Sequence, residues 1–440
     1  MSTPSSSARR GWLTTWDPET NWDSKIAWRT LSITTFNLTL AFITWFLVSA
    51  IAPKLNSIGF NISTAQLYWL AAMPGLAGGT LRLIWTFLPP LMGTRRLVSI
   101  TSALFVIPLI GWGLAVQNPA TPFWVLLVLG ALAGIGGGAF SGFMPSTSYF
   151  FPRAKQGTAL GLQAGIGNFG VSIVQFVTPW VIGFALLGST QVMTNKATGA
   201  TKDVWYQNAG FFWIPFVIIG VILAALLLKS VPVQVRGVRE QLDIFKNKHT
   251  WIMTYLYVIT FGTFSGLAAA FALLIGNLYG PSKFGEAGID PVTYAFLGAL
   301  VGSAARVIAG PFADRFGGGK ITVIATIGIA LGSAFTSTQI NPTSVTQFPL
   351  FLTGMLVIFF FAGVGNASTF KQMPMIFDRR QAGGVIGWTS AIAAFGPFIF
   401  GVMLASIAPY LFFVMGGVFG VIAAVIAWWY YARPNAPMPC

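Results

Sequence analysis

The chain has 440 residues, 55% of them hydrophobic and 8% charged, with a mean hydropathy of +0.73. That leaves too few polar side chains to cover a soluble globule of this size, and the composition is that of an integral membrane protein. A net charge of +15 would suggest nucleic acid in a soluble chain, but the basic residues sit in short clusters between apolar runs and form no face interleaved with stacking aromatics, so nucleic acid is excluded as a partner.

Several chemistries lack their parts. Cys440 is the only cysteine, which rules out an intrachain disulfide and a cysteine metal site. The single histidine, His249, follows Lys246 and Lys248 just before an apolar run and reads as a solvated loop residue. Hydrolytic triads, zinc centres and haem attachment are thereby excluded. The pair Gly319 and Lys320 is no phosphate loop, because Ile321 follows it and Asp314 stands where the first glycine belongs. No cofactor, no metal and no enzymatic activity are expected. The first thirty residues, with Pro4, Asp17, Pro18 and Glu19, hold no short apolar core ahead of a small-residue cleavage site, so a cytoplasmic tail is expected and not a signal peptide.

A membrane helix needs about 20 mainly apolar residues. Twelve such runs follow the tail, at 30–52, 66–88, 97–117, 122–147, 157–187, 209–229, 250–277, 291–313, 320–339, 347–372, 382–406 and 408–431. Assigning the loops alternately to two sides puts 18 lysines and arginines on one side and only Lys54, Lys196, Lys202 and Lys283 on the other. The positive-inside rule then places both termini in the cytoplasm, and a multi-pass protein of the cytoplasmic (inner) membrane is expected. The longest polar interruption splits the runs into two sets of six. The expected organisation is a tail over 1–29, a six-helix bundle over 30–229, a linker over 230–249, a second bundle over 250–432 and a tail over 433–440, with a monomer sufficient for function.

One pattern occurs twice. Gly134, Gly136, Met144 and Pro145 recur 229 positions later as Gly363, Gly365, Met373 and Pro374. After a three-residue gap, Gly157 and Gly161 recur as Gly383 and Gly387. Glycine in a membrane helix lets two backbones approach closely, and a fold built from two copies of one unit is implied.

Three basic residues fall inside apolar runs, Arg82, Arg306 and Lys371, whereas all ten acidic residues lie in loops, tails or span ends. Arg82 has Gly78 four residues before it and Gly93 eleven after it; Arg306 has Gly302 and Gly317 at the same offsets. The two arginines therefore hold equivalent places in the second and eighth spans. A helix-centre arginine costs roughly 2.5–3.5 kcal/mol on insertion scales. With no carboxylate at that depth, the missing negative charge is most simply supplied by a ligand. The bland alternative is that each guanidinium bonds to carbonyls or snorkels to an interface. Facing each other across a pseudo-twofold axis, two forked donors could clamp one small oxyanion. Lys371 is close enough to the end of the tenth span to snorkel; if it faces the cavity instead, it could exchange a proton.

The glycine faces fit the same reading. Gly161, Gly165, Asn168 and Ser172 make one narrow stripe in the fifth span, and Gly363, Asn366 and Phe370 repeat the spacing in the tenth. Packing accounts for most of the glycines, but the amides of Asn168 and Asn366 could donate to an oxyanion. Phe140, Tyr257 and Phe261 are aromatic candidates for the walls, the last two on one helix face.

These residues resemble a known family. GPFADRFGG, from Gly310 to Gly318, is similar to the loop motif of the major facilitator superfamily, and its counterpart LPPLMGTRR, from Leu88 to Arg96, keeps the basic residues without the aspartate. AGIGNFG (Ala164 to Gly170) and GVGNAST (Gly363 to Thr369) look like the paired signatures of the nitrate/nitrite porter family. The resemblance implies the major facilitator fold, an all-α membrane protein of twelve transmembrane helices in two pseudo-twofold related six-helix bundles. It also implies a nitrate site between the bundles. There Arg82 and Arg306 would clamp the anion, Phe140 and Phe261 would sandwich it and Tyr257 would hydrogen-bond it. The glycine-rich fifth and eleventh spans would flex during alternating access, the conformational set being Gly161, Gly165, Gly167, Gly363, Gly365, Gly383 and Gly387. FKQM, Phe370 to Met373, departs from the exchanger pattern by a lysine, which tilts the expectation to proton-coupled import of nitrate, with nitrite a second substrate. Alternatives are nitrate/nitrite exchange, a phosphate or organic phosphate carrier, and a membrane sensor that binds nitrate without moving it. A cation or drug exporter would carry an intramembrane carboxylate.

Overall fold

The computed structural model describes residues 11–195, 198–232 and 242–440. Arg9, Arg10, Lys196, Arg236, Arg239 and Glu240 of the charge map lie outside the described residues, as do the side chains of Arg153, Asp314, Arg379 and Arg380.

Capping residues set where the spans begin. Asp23 accepts from the backbone N–H groups of Lys25 and Ile26 at the start of α1 (Ser24–Ile51), and a Ser63–Gln66 capping box starts α2 (Thr64–Trp85). The third span is two pieces, α3 (Thr94–Leu104) and α4 (Val106–Ala115), parting where Pro108 has no N–H for the Leu104 carbonyl. Helices α5 (Phe123–Ser148), α6 (Arg153–Val181) and α7 (Ile214–Leu227) complete the first bundle. In the second, α8 (Lys248–Tyr257) passes through a π-helical turn at Val258–Gly262 into α9 (Thr263–Tyr279). Then come α10 (Pro291–Phe316), α11 (Gly318–Ser337), α12 (Phe348–Ile376), the broken eleventh span α13 (Arg379–Ala393) and α14 (Gly396–Ser406), and α15 (Pro409–Ala427). Pro397 breaks the eleventh span as Pro108 breaks the third, by denying the Ala393 carbonyl a partner.

Among the described residues eleven helical segments are long and apolar enough to cross a membrane. The remaining span is α2, a 22-residue helix whose Gly75, Gly78, Gly79, Thr80 and Arg82 lower its apolarity. The fifth run, expected to reach 187, stops at Val181. Beyond it a short antiparallel hairpin forms, β1 (Gln191–Thr194) and β2 (Thr201–Val204), with Gln191 opposite Val204.

The repeated glycines do repeated work. In α5 a Cβ on Gly134 would fall 2.6 Å from the Ala77 Cβ of α2, and one on Gly136 would run into the Ala41 carbonyl of α1. In α12 a Cβ on Gly363 would run into the Gly302 carbonyl of α10, and one on Gly365 into Thr260 of the seventh span. Each copy thus crosses its first and second helices at backbone contact distance. Gly93 and Gly317, at φ +74° and +91°, each open the helix after an arginine-bearing span. Leu226, Leu331 and Val425 on the outer helices are more than half exposed, as side chains facing lipid are.

The two bundles meet unevenly. Towards the face opposite the chain ends they are sealed. Lys54 and Asp290 pair at 2.9 Å, Asn277 Nδ2 donates to the Tyr68 hydroxyl at 3.1 Å, and Phe176 packs on Phe296 with ring centroids 4.9 Å apart. Buried Gln175 donates to both Ser49 Oγ and the Ala268 carbonyl at 2.9 Å. The void beside this seal, lined by Trp45, Ser49, Pro74 and Pro397, is about 10 Å³, room for a single water. Towards the face that carries the chain ends the helices diverge. On α6 a Cβ at Gly165 would lie 2.5 Å from Val307 of α10, but one turn earlier a Cβ at Gly161 meets nothing within 4 Å, and neither does one at Gly310 of α10. Likewise a Cβ at Gly387 of α13 would touch Thr86 of the first bundle at 2.8 Å, whereas Gly383, one turn closer to the chain-end face, has open space. The molecule is closed on one face and parted on the other.

Candidate functional site

Arg82 lies in the last turn of α2 and reaches the interface between the bundles. Its guanidinium is fully buried and forked between them: Nε donates to the Gly137 carbonyl of α5 at 2.9 Å, and Nη1 donates to the Ser390 carbonyl of α13 at 2.8 Å. Nη2 is buried with no partner. Gly78 and Gly137 lie back to back at the crossing of α2 and α5, and the Trp45 indole fills the notch they leave. That indole sits 5.0 Å from the Arg82 guanidinium carbon and donates to the Pro74 carbonyl at 2.8 Å. The rings of Phe140 and Phe261 face the same guanidinium at 4.5 and 5.2 Å.

Arg306 reaches the interface from α10 and is 5% exposed. Its guanidinium lies over Phe370 at 5.5 Å and Phe261 at 6.0 Å. With the Asn168 amide oxygen turned towards it, Nη1 donates to that oxygen at 3.1 Å while the amide nitrogen donates to the Ala164 carbonyl at 3.3 Å. In this orientation the Asn168 oxygen holds Arg306 and one N–H of the same amide is taken by Ala164. Phe261 is the ring the two arginines share. It stacks parallel on Tyr257, centroids 5.3 Å apart and planes within 5°, because the π turn re-phases the seventh span at this point. Phe370 closes the ring set against Tyr257 at 5.4 Å and Phe140 at 6.2 Å.

No described carboxylate is buried among these groups. The guanidinium carbons lie no more than about 11 Å apart through Phe261, where like charges repel by at least roughly 1.5 kcal/mol at an effective dielectric of ~20. A monoanion midway would be attracted by roughly 3 kcal/mol to each on the same scale, so an anion offsets the repulsion several times over. Arg82 Nη2 and the fully buried Asn366 amide are left without hydrogen bonds, and the Tyr257 hydroxyl lies against Arg306; an oxyanion could accept from such donors. The Tyr257 hydroxyl lies within the electrostatic reach of both arginines.

The site thus brings together Arg82, Arg306, Phe140, Tyr257, Phe261 and Asn168, with Asn366 one turn from Phe370. Lys371 is half-buried on α12, about 100° around the helix from Phe370 and so off the Asn366–Phe370 face. Gly161 and Gly383 line the parted side, Gly165 and Gly387 the contacts between bundles, Gly167 packs on Leu38, and Gly363 and Gly365 serve packing within the second bundle. Trp45, Phe370 and the Gly137 and Ser390 carbonyls are site groups beyond the expected set. Phe370 was signalled by its place in the stripe. Trp45 is one of 16 tryptophans, and a main-chain carbonyl leaves no mark on a sequence.

Comparison with known proteins decides the family. The Major Facilitator Superfamily model matches residues 34–338. The chain is 60% identical over 449 residues to the probable nitrate/nitrite antiporter NarK2 of Thermus thermophilus, covering 99% of both chains, and 36% identical over 415 residues to the nitrate/nitrite transporter NarU of Escherichia coli K12, covering 88% of this chain and 87% of that one. The chain belongs to the nitrate/nitrite porter family of the major facilitator superfamily. The porter's fold is also that of a crystal structure of a D-xylose-proton symporter, which superposes with a TM-score of 0.68 at 16% identity over 92% of this chain and 97% of the other. A transporter, and not an enzyme, is what this family and fold describe.

Proposed function

We propose that the porter carries nitrate across the cytoplasmic membrane by alternating access and returns nitrite in exchange. The observation that carries this reading is the pair of buried arginines, one from each bundle, which share the Phe261 ring among further aromatic side chains with no described carboxylate beside them. A flat monoanion fits between rings and accepts from donors at its rim. A tetrahedral phosphate would want more donors and a wider polar cavity, which disfavours a phosphate carrier. In this reading the bundles over 30–229 and 250–432 rock against each other, both termini are cytoplasmic, the parted face is the cytoplasmic one, and one chain suffices because both arginines lie within it.

Exchange is supported over proton-coupled import by two features. Arg82 Nη1 is held by a carbonyl of the opposite bundle, a bond that must break as the bundles move apart there and whose loss a bound anion would offset; this favours movement of the loaded form. Lys371, the residue that suggested proton coupling, lies off the face that bears Asn366 and Phe370. Loaded vesicles test the reading. Labelled nitrate should enter only with nitrite or nitrate inside, and an acid-outside gradient without internal anion should drive none. Gradient-driven entry into anion-free vesicles would establish proton coupling, and saturable binding without counterflow would indicate a sensor.

A further inference from the structure

On the face that carries the chain ends, a cleft of about 320 Å³ opens on the outside of the first bundle, within the range of small-molecule sites (~300–1,000 Å³). It lies between the start of α3, the end of α7 and the segment leading to α1, and is lined by Trp12, Arg95, Arg96, Ile100, Ala225 and Ser230. Its walls are tied together. Ser230 donates its N–H to the Gly11 carbonyl at 2.9 Å, accepts from Leu13 N–H at 2.8 Å, and takes the Arg95 N–H on its Oγ at 3.2 Å. Gly93, at φ +74°, lets the chain pass, since a Cβ there would fall 2.7 Å from Ser230 Oγ and 2.9 Å from the Trp12 ring.

The charge in this cleft is unbalanced. Arg95 is half-buried and Arg96 exposed, and among the described residues neither has a carboxylate within 4 Å; the one ion pair, Lys54–Asp290, is on the other face. Duplication explains the imbalance. At the offset that relates Arg82 to Arg306 and Gly93 to Gly317, Asp314 of the second copy is matched by Pro90, and Gly319 and Lys320 by Arg95 and Arg96. In the second copy the place is filled by the chain's own end, where the Gly319 N–H donates to the Cys440 carbonyl at 2.7 Å. In the first copy the matching N–H, that of Arg95, goes to Ser230 Oγ, and the two arginine side chains line the cleft beside it.

We infer that this cleft binds the phosphate of an anionic phospholipid. Two guanidinium groups supply the charge for one phosphodiester. The apolar wall supplies what an inorganic ion does not need: Ile100 is half exposed and Leu226, next to Ala225, is 69% exposed. Exposed apolar side chains on the two helices that flank the cleft suit acyl chains leaving the headgroup. The cleft also sits at headgroup depth, where α3 begins and α7 ends, and basic pockets between helices at that level recognise anionic headgroups.

The test is lipid retention on the purified full chain, read by native mass spectrometry with phosphatidylglycerol and phosphatidylcholine offered together. Its readout is independent of what the porter carries. Both lipids carry the phosphodiester, but the choline cation is repelled by two arginines, so wild type should prefer the net-anionic phosphatidylglycerol by about thirtyfold at roughly 1 kcal/mol per arginine. The Arg95→Gln/Arg96→Gln double variant should lose that preference, and so should Ala225→Trp, which fills the cleft and leaves both arginines in place. Lys246→Gln should keep it. An unchanged preference in both cleft variants, an equal loss in Lys246→Gln, or displacement of the lipid by millimolar inorganic phosphate would each overturn the assignment.

Discussion

Replacing Arg82 by lysine keeps the charge and removes the fork. In the structure three of the guanidinium's donor directions have separate duties: one to Gly137 of the same bundle, one to Ser390 of the other, and one, Nη2, unpaired towards the site. An ammonium is a single centre on a flexible stem and cannot reach both carbonyls and an anion together. At least one hydrogen bond to a charged group, worth about 1.5–3 kcal/mol, is lost, and a buried carbonyl is left unpaired at about 1–3 kcal/mol. Taking ~3 kcal/mol as the share felt when the anion is bound and moved, the rate per unit substrate should fall about 150-fold at roughly 1.4 kcal/mol per decade. Arg306→Lys should lose less, because Arg306 anchors on one side-chain amide and orphans no main-chain carbonyl. The assay is initial-rate uptake of labelled nitrate into nitrite-loaded proteoliposomes, with monodispersity in detergent as the check on folding. Uptake by Arg82→Lys within threefold of wild type, or a ranking with Arg306→Lys the worse, would refute the reasoning.

Glycine substitutions should separate packing from movement. Gly136→Ala and Gly363→Ala force a Cβ into a neighbouring carbonyl and should lower stability by about 1–3 kcal/mol, seen as a fall in melting temperature. Gly161→Val and Gly383→Val meet open space here, so melting should hold while exchange fails, because the bundles can no longer close on that face; normal exchange would show these glycines are not at a closing seam. Asp290→Asn removes the Lys54 ion pair but keeps an amide oxygen to cap Val292. For a half-exposed pair the effect is small, under about 1 kcal/mol, yet it should increase labelling of a cysteine placed at Ser49 in a Cys440→Ser background, and unchanged labelling would mean the pair does not hold the seal. Trp45→Phe keeps a ring on Arg82 but drops the bond to Pro74; nitrate affinity should weaken severalfold with expression unchanged, measured by competition binding.

Much of this was legible because duplication writes the same constraint twice. Gly134 and Gly136 with Gly363 and Gly365, or Gly93 with Gly317, are positions where a side chain cannot fit or a left-handed backbone is required, and glycine is the only residue type that satisfies both copies. Arg82 and Arg306 stood out since charge at lipid depth is costly and rare. What stayed hidden depends on the main chain or on phase. Nothing in the residues announces that the Ser390 carbonyl turns to Arg82 at the break in the eleventh span, or that a π turn aligns Tyr257 with Phe261. Apolarity alone also misjudged ends: the fifth run continues in composition past Val181, but Gly183 and Gly188 let the chain leave the helix for the β1–β2 hairpin. Asn168 stood out as polar in a glycine stripe, and only the distance to Arg306 shows that it holds the clamp.

The central claim is that two arginines from opposite bundles share one small anion. Calorimetric titration of the purified chain with nitrate tests it most directly. One nitrate should bind per chain, displaced by nitrite and not by phosphate, with binding lost in both Arg82→Gln and Arg306→Gln. Retention of wild-type affinity by either variant, or two independent nitrates per chain, would contradict it.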